Sequence, residues 1–335
     1  MFGESIYSEQ SHHDFSAATK IPESKCNNVS FMKVEVLPSE LRNLLAVSES
    51  YICYAVTTKR NLLRLINTIT GDKIILRGHE AAVIDLKFSP TDNNMLCSID
   101  RGDSGDSPHV FFWQKEEGNE ALNFQSIAKL GLQATFLLPH PSQSHIWLLA
   151  DARHVGLYST KSGSMPSAYT ALPSHLCISP ADGEVSGVSF AADGRAIAVA
   201  VTNAQSGLTS LQIWRVGSAT GDIANLASKP LTPANHSNAP KVANFLALHF
   251  VGRMLVTVEK TDGSSGGTRE ATISYTVHVF RCDARFEMKQ IQTLTVNLPR
   301  FKSSLSAAHG SNSQLEVSLC CDGSETAKYL ILTSR

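Results

Sequence analysis

The chain has 335 residues, of which 42% are hydrophobic and 18% are charged, and its formal net charge is −1. This composition suits a folded domain with a buried core and excludes a highly charged disordered protein. The near balance of charges gives no reason to expect strong non-specific binding to nucleic acid or to anionic membranes. No window approaches the roughly 18 apolar residues of a membrane-spanning helix, and the first residues lack the basic start and apolar run of a secretory signal.

The seven cysteines include no Cys-x-x-Cys pair and no histidine at the spacing of a zinc site. We therefore expect free, buried thiols in a reducing compartment, with no metal and no cofactor. Residues 1–28 are polar and lack periodicity, which predicts a disordered N-terminal tail followed by one folded region over 29–335. His12 and His13 in this tail are interpreted as solvated residues and not as metal ligands.

From residue 31 onward the chain consists of short apolar runs separated by turns. The segment 31–36 alternates, and compact runs at 44–47, 51–56 and 62–66 follow, with an outer strand at 73–76. Similar sets recur at 136–138, 146–150 and 154–158, at 187–190, 196–201 and 211–216, and at 246–250, 254–258 and 274–280. This repetition of strand sets predicts an all-β protein built of repeated sheets.

The stretch 76–113 gives the repeat its type. Gly78 and His79 precede a strand at 83–88, a second strand follows at 95–99, and a third at 110–113 ends in Trp113. A glycine-histidine pair that opens a unit closed by tryptophan is typical of WD repeats, although here the final pair is Trp-Gln and not Trp-Asp. The predicted fold class is therefore a WD40-type β-propeller.

A sixth set begins with strands at 315–319 and 329–332, after which the sequence ends. A propeller needs its last blade to pair with its first, because unpaired strand edges otherwise remain. We expect a C-terminal truncation within the sixth blade of a ring of six or seven. The alternative is a smaller ring that the strand at 31–36 helps to close.

Several residues are candidates for a structural or functional role. His79, Ser98 and Trp113 have the residue types and order of the hydrogen-bonded network of a WD repeat, with Asp100, Asp103 or Asp106 as its carboxylate. A catalytic Ser-His-Asp set is the alternative, but no Gly-x-Ser-x-Gly surrounds Ser98.

Other candidates point toward ligands. Arg42, Lys59, Arg60 and Arg64 form a basic cluster that could meet phosphate, with Tyr51 and Tyr54 nearby for base stacking; a solvated surface is the alternative. His109, His154 and His278 recur at third strands, which suggests a metal ring or, as we prefer, blade-edge histidines bonded to backbone groups. The Gly-rich segment 262–267 lacks the Gly-Lys-Ser/Thr ending of a phosphate-binding loop and is interpreted as a flexible hairpin loop.

The first two strand sets resemble a known family. Residues 43–56, 63–66, 76–78 and 83–88 resemble the N-terminal propeller of the enhancer of mRNA-decapping protein 4 family, whose plant member is Varicose, and 192–194, 211–214, 315–317 and 328–332 fit its later blades. The resemblance implies a non-catalytic scaffold of the cytoplasmic mRNA decapping machinery in processing bodies, with a nuclear location also possible. Its partners would be proteins of the decapping complex, and its association with mRNA would be indirect.

Two other functions stay open from the sequence. One is a generic WD40 interaction scaffold, such as the substrate receptor of a ubiquitin ligase. The other is a hydrolase whose loop residues converge on the channel.

Overall fold

The structure, a computed structural model, describes residues 44–56, 59–102, 108–116, 118, 122–161, 176–177, 183–203, 205–216, 223–231, 243–262, 272–299, 315–321 and 327–334, some of them by their backbone alone. The chain divides into two units, Met1–Val36 and Leu37–Arg335, and all described residues lie in the second. The predicted tail at 1–28 and the predicted strand at 31–36 lie outside the described residues.

The described residues form 22 β-strands. They contain no helix, and so no segment among them offers a long apolar helix for crossing a membrane. Blade 1 contains β1 (Leu45–Val47), β2 (Tyr51–Val56), β3 (Lys59–Asn67) and β4 (Lys73–Leu76). Blade 2 contains β5 (Val83–Phe88), β6 (Met95–Asp100), β7 (His109–Lys115) and β8 (Phe124–Gly131). Blade 3 contains β9 (Phe136–Pro139), β10 (Ile146–Ala150), β11 (His154–Ser159) and β12 (Leu176–Cys177).

Two more four-stranded sheets and a strand pair follow. Blade 4 contains β13 (Glu184–Phe190), β14 (Ala196–Thr202), β15 (Thr209–Val216) and β16 (Ile223–Pro230). Blade 5 contains β17 (Ala243–Val251), β18 (Met254–Asp262), β19 (Thr272–Cys282) and β20 (Met288–Pro299). The last sheet is the pair β21 (Leu315–Cys321) and β22 (Ala327–Ser334). Every pairing is antiparallel between strands adjacent in sequence, which is the meander of a propeller blade.

The hydrophobic core lies between consecutive blades. One cluster of buried side chains joins blades 1 and 2, and others join blades 2 and 3, blades 3 and 4, and blades 4 and 5. The strands are apolar on both faces for this reason: Ile197 and Val199 of β14 face blade 3, whereas Ala198 and Ala200 face blade 5. The first strands of successive blades, β1, β5, β9, β13 and β17, are also neighbours. The prediction of repeated antiparallel sheets is confirmed.

Three of the first strands contain the same irregularity. The register shifts between Val83 and Asp85 in β5, between Val185 and Gly187 in β13, and between Phe245 and Ala247 in β17. A β-bulge of this kind inserts one residue and increases the local twist. Because the bulge recurs at the same place, positions in different blades can be matched residue by residue.

Candidate functional site

Four polar side chains form a buried hydrogen-bonded network in blade 2. Trp113 Nε1 donates to Ser98 Oγ over 2.8 Å, and Ser98 Oγ lies 2.7 Å from His79 Nε2. On the other side of the imidazole, His79 Nδ1 lies 2.8 Å from Asp100 Oδ2. Ser98 and Asp100 are fully buried, and His79 is only 4% exposed. The structure therefore brings together all three predicted residues, with Asp100 as the carboxylate; Asp103 and Asp106 lie outside the described residues.

The protonation of this network follows from its geometry. A carboxylate accepts hydrogen bonds only, so His79 Nδ1 donates to Asp100, and in the neutral imidazole Nε2 then accepts from the Ser98 hydroxyl. Burial lowers the pKa of His79, which favours this neutral form although Asp100 acts in the opposite direction. Each polar hydrogen of the chain from Trp113 to Asp100 thus has an acceptor.

Asp100 also anchors the turn that follows β6. Its Oδ1 accepts from the backbone N–H of His109 at 2.8 Å and of Gly102 at 3.0 Å. Burial by itself would raise the pKa of Asp100, but the hydrogen bonds from His79 and from these two N–H groups lower it overall. The ionised carboxylate therefore connects the loop histidine to the start of β7.

The local sequence explains how His79 reaches this position. A Cβ atom added at Gly78 would lie 2.9 Å from the Phe111 ring and 3.2 Å from the Trp113 ring, so a glycine lets the loop pass close to both aromatics. The His79 ring contacts Phe111 edge-on, with centroids 4.3 Å apart, and Phe111 stacks on Trp113 at 5.4 Å. Gly78 thus lets the loop lie close to the two aromatic rings, and His79 places its imidazole inside the blade.

The contacts of Ser98, His79 and Asp100 match those of a hydrolase triad, but the site is sealed. A triad serine must expose its Oγ to substrate, beside donors that stabilise an oxyanion. Ser98 is 0% exposed, and Trp113 already donates to its oxygen. In this structure the hydroxyl is closed off from solvent, so the arrangement favours a structural network over a catalytic triad.

The predicted basic cluster is only partly described. Lys59 is exposed and Arg64 is half-buried on the same strand, β3, whereas Arg42 and the side chain of Arg60 lie outside the described part. A bulge interrupts β3 between them: Lys59 pairs with Val56 and Arg64 pairs with Tyr54 on β2, so their places in the sheet are two residues, or about 7 Å, apart. The register therefore places these two described cations close together in the sheet.

The tyrosines proposed for base stacking are core residues. Tyr51 is 4% exposed and Tyr54 is 5% exposed. The Tyr51 ring contacts Phe124 edge-on at 5.3 Å and stacks on Phe88 at 6.3 Å. Stacking of a nucleic-acid base on these rings is excluded, because the rings are already covered by the core.

The three recurring histidines lie in three different blades, and each faces a carboxylate. His109 Nδ1 is 3.9 Å from Asp100, His154 Nδ1 is 3.0 Å from Asp151, and His278 Nε2 is 3.4 Å from Glu259. Of the three contacts only that of His154 with Asp151 is a hydrogen bond, and the ring nitrogens of His154 and His278 face side chains where we expected backbone groups. Among the described residues, no group of three metal-ligating side chains is close enough to hold an ion.

Sequence reasoning missed a contact between blades 3 and 4. His140 follows β9, is 3% exposed, and packs edge-on against Phe190 of β13 with centroids 5.1 Å apart. Its ring also lies against Gly194, in the hairpin between β14 and β13, where an added Cβ would overlap the imidazole. A sequence carries no signal for such a contact, because the two residues meet only when the sheets pack.

The sheets, their packing and the blade 2 network define this protein as a WD40-type β-propeller. The WD40 domain of coronin from Toxoplasma gondii matches it with a TM-score of 0.53 at 15% identity, over 87% of this chain and 64% of that one. At this identity the match establishes the fold alone.

The sequence relatives are more specific but cover less. The chain is 31% identical to enhancer of mRNA-decapping protein 4 of Danio rerio over 74 residues, and 34% identical to the protein of that name of Xenopus laevis over 74 residues. Each match spans 22% of this chain and 5% of the relative, so the chain covers a small part of the length of the curated relatives it matches. No protein-family model matches. The resemblance predicted from the sequence is confirmed.

Proposed function

We propose that this protein is a non-catalytic interaction scaffold of the cytoplasmic mRNA decapping machinery that supports mRNA decay in processing bodies, with a nuclear pool also allowed. The observation that carries the proposal is the similarity to enhancer of mRNA-decapping protein 4 of two vertebrates, in a chain with a WD40-type fold. The proposal includes the division of the chain into an N-terminal tail at 1–28 and a propeller region at 29–335. Its partners are decapping-complex proteins.

Partners bind through turns at the blade ends, because the strand interiors are already occupied by the core. Two exposed apolar side chains lie on such turns: Ile69, between β3 and β4, is 79% exposed, and Leu208, between β14 and β15, is 52% exposed. In an antiparallel meander, the turn after the third strand lies at the opposite end of a blade from the turn after the second. Ile69 and Leu208 therefore lie at opposite ends of their blades.

Association with mRNA is indirect in this proposal. The net charge of −1 supplies no general attraction to phosphate. Both tyrosines next to the basic cluster, Tyr51 and Tyr54, are buried in the core and offer no ring for base stacking. These observations favour a protein partner over a nucleic-acid ligand.

The proposal that the protein is not a catalyst rests on the burial of its one candidate triad. The Ser-His-Asp set of blade 2 is enclosed, and its serine oxygen is bonded on two sides. This set therefore acts as internal bracing of the blade.

Proximity labelling with the chain expressed in its source cells tests the proposal. The expected result is enrichment of decapping proteins and a granular cytoplasmic distribution. The variants Ile69→Asp and Leu208→Asp form a matched pair, and loss of labelling in one of them identifies the end of the blades that binds. Recovery of ubiquitin-ligase or ribosome-biogenesis factors without decapping proteins would overturn the proposal and favour a generic WD40 scaffold.

A further inference from the structure

Blade 5 contains a second buried polar cluster, formed by Thr257, Glu259 and His278. Thr257 is 0% exposed, His278 is 2% exposed and Glu259 is 5% exposed. His278 Nε2 lies 3.4 Å from Glu259 Oε2, but the geometry does not make a hydrogen bond, and Thr257 Oγ1 also has no hydrogen-bond partner. Buried polar atoms without partners are costly, so a native cluster of this kind requires an explanation.

The cluster occupies the positions of the blade 2 network. Ser98 and Thr257 each pair with the residue three positions after the start of the bulge in the first strand of their own blade. The two bulges therefore align Thr257 with Ser98. The same alignment pairs Glu259 with Asp100. On the third strand, Phe280 falls at the position of Trp113. Blade 5 thus retains the hydroxyl and the carboxylate of the network but replaces the tryptophan by an apolar ring.

The histidine comes from a different element. In blade 2, His79 enters from the loop before β5 and bonds Ser98 and Asp100 with its two ring nitrogens. In blade 5, His278 lies on β19, where it is the direct partner of Thr257 in the sheet. Only its Nε2 faces Glu259, so this imidazole contacts the carboxylate without closing a network.

The other ring nitrogen faces the outer strand. His278 Nδ1 lies 3.4 Å from Gln290 Nε2 and 3.5 Å from Thr293 Oγ1, both on β20. Neither partner carries a charge. Glu259 is thus the charged group that faces this imidazole among the described side chains.

The surroundings of the pair are apolar. Between blades 4 and 5 the same face of the sheet packs against a set of buried side chains: Ala191, Ala196, Ala198, Ala200, Leu211, Ile213, Leu231, Leu248, Leu255, Phe280 and Cys282. The one titratable side chain in this apolar set is Cys282, and burial raises its pKa to about 11, so its thiol is neutral at physiological pH. Two charged residues share this face of blade 4, Glu184 as the sheet partner of Thr202 and Arg215 as that of Ala196, and both are exposed. His249 of β17 pairs with Val256, which belongs to the opposite face, and does not enter this set.

The pair is also connected to the contact between the two blades. Glu259 is the sheet partner of Phe245, and Thr257 is the sheet partner of Leu248. Phe245 and Leu248 both pack on Gly187 of β13, where an added Cβ would lie 2.7 Å from the Phe245 ring and 3.2 Å from Leu248. A further link is the backbone N–H of Phe250, which donates to Ser189 Oγ of blade 4 over 2.9 Å. A change at the pair therefore acts directly on the packing of blade 5 against blade 4.

We propose that Glu259 and His278 form a proton-sensitive clamp of the interface between blades 4 and 5, which is tightest when the pair holds one proton. With one proton the pair is neutral overall, either as imidazolium and carboxylate or as imidazole and carboxylic acid. Loss of that proton leaves a buried carboxylate beside a neutral ring, and gain of a second proton leaves a buried imidazolium beside a neutral acid. Either unpaired charge is strongly unfavourable in an apolar interface, and the blade contact loosens on both sides of the optimum.

The test is hydrogen exchange and urea unfolding of the full chain between about pH 5 and pH 8, the range in which a histidine charge changes. The variants are Glu259→Gln, His278→Gln and the double variant, and His154→Gln is the control, because His154 makes a comparable contact with Asp151 at the surface. Exchange is followed in peptides of β13 and β17, which form the interface.

The two single variants are expected to shift the pH dependence in opposite directions. In Glu259→Gln the histidine is buried without a carboxylate, so stability relative to wild type rises with pH. In His278→Gln the carboxylate is buried without a cation, so relative stability falls with pH. Each slope corresponds to as much as about one bound proton. The double variant should lose the pH dependence that arises from the pair, whereas the His154→Gln control should keep the wild-type profile. Equal slopes in wild type and both single variants would overturn the proposal, and hydrogen exchange still reads the interface in a variant too unstable for a complete unfolding curve.

Discussion

The Nε2 atom of His79 lies 2.7 Å from the Oγ atom of Ser98, and the serine oxygen is simultaneously bonded by Trp113. The histidine precedes the first strand of its blade and the serine lies in the second, so this one contact fixes the loop against the sheet. The His79–Ser98 contact has the geometry of a nucleophile and its general base, but because it is buried it stabilises the blade instead. The same three residue types support either role, and access of solvent decides between them.

Removal of the serine hydroxyl should be costly. Ser98→Ala leaves the Trp113 N–H and the His79 ring nitrogen buried without a partner, and we expect a loss of about 2–4 kcal/mol in the free energy of unfolding. Thr257→Val is the matched control at the equivalent position of blade 5, where the hydroxyl has no partner. It should be near neutral or stabilising. Urea unfolding of both variants gives the comparison, and equal losses would contradict the bracing role of Ser98.

The contact of His140 with Gly194 should make this glycine irreplaceable. Gly194 has φ +71°, and an added Cβ would also overlap the His140 ring. Gly194→Ala therefore combines a backbone cost of roughly 1–2 kcal/mol with displacement of a buried imidazole between blades 3 and 4. Gly71→Ala, at φ +79° with no atom within 4 Å of the new Cβ, carries the backbone cost alone. Thermal unfolding should show a clearly larger loss for Gly194→Ala, and equal losses would mean that the imidazole moves freely.

Acid should weaken the blade 2 network. Burial lowers the pKa of His79 below its unfolded value, so below about pH 6.5 the unfolded chain takes up the proton first and stability falls. The pKa of Asp100 is also lowered, and its contribution is lost at more acidic pH, below about 4. Urea unfolding at pH 7.5 and 5.5 measures the first effect. His79→Gln should reduce the difference between these two values, whereas His154→Gln should leave it unchanged.

Buried thiols should resist alkylation in the native protein. Cys53 and Cys97 are fully buried, and burial raises the pKa of both well above the ordinary value; that of Cys282 rises to about 11. Since the thiolate is the reactive form, iodoacetamide at about pH 8 should leave these three unlabelled while it labels them fully in urea. Mass spectrometry of the digested protein identifies each site. Rapid native labelling of Cys53 would show that the contact between blades 1 and 2 opens.

The sequence by itself determined the inner three strands of the blades and the residue types of the network, but the outer strands β8, β12, β16 and β20 were not predicted. Runs of apolar residues and recurring turns are local properties, so the strand sets from 44–56 to 274–280 could be placed without a structure. The Gly78-His79 pair and Trp113 indicated a WD repeat because that motif has a local order and spacing.

Only the tertiary structure decided what the polar residues do. Asp100 was one of three possible carboxylates until strand pairing placed it against His79. Tyr51 and Tyr54 seemed available for stacking until the packing of blade 1 on blade 2 buried them. Glu259 and His278 are 19 positions apart and gave no motif, yet adjacent strands bring them to 3.4 Å. The physical reason is common to all three cases: hydrogen-bond partners and solvent access depend on strand register and on the packing of sheets, which are properties of the folded chain and not of any local segment.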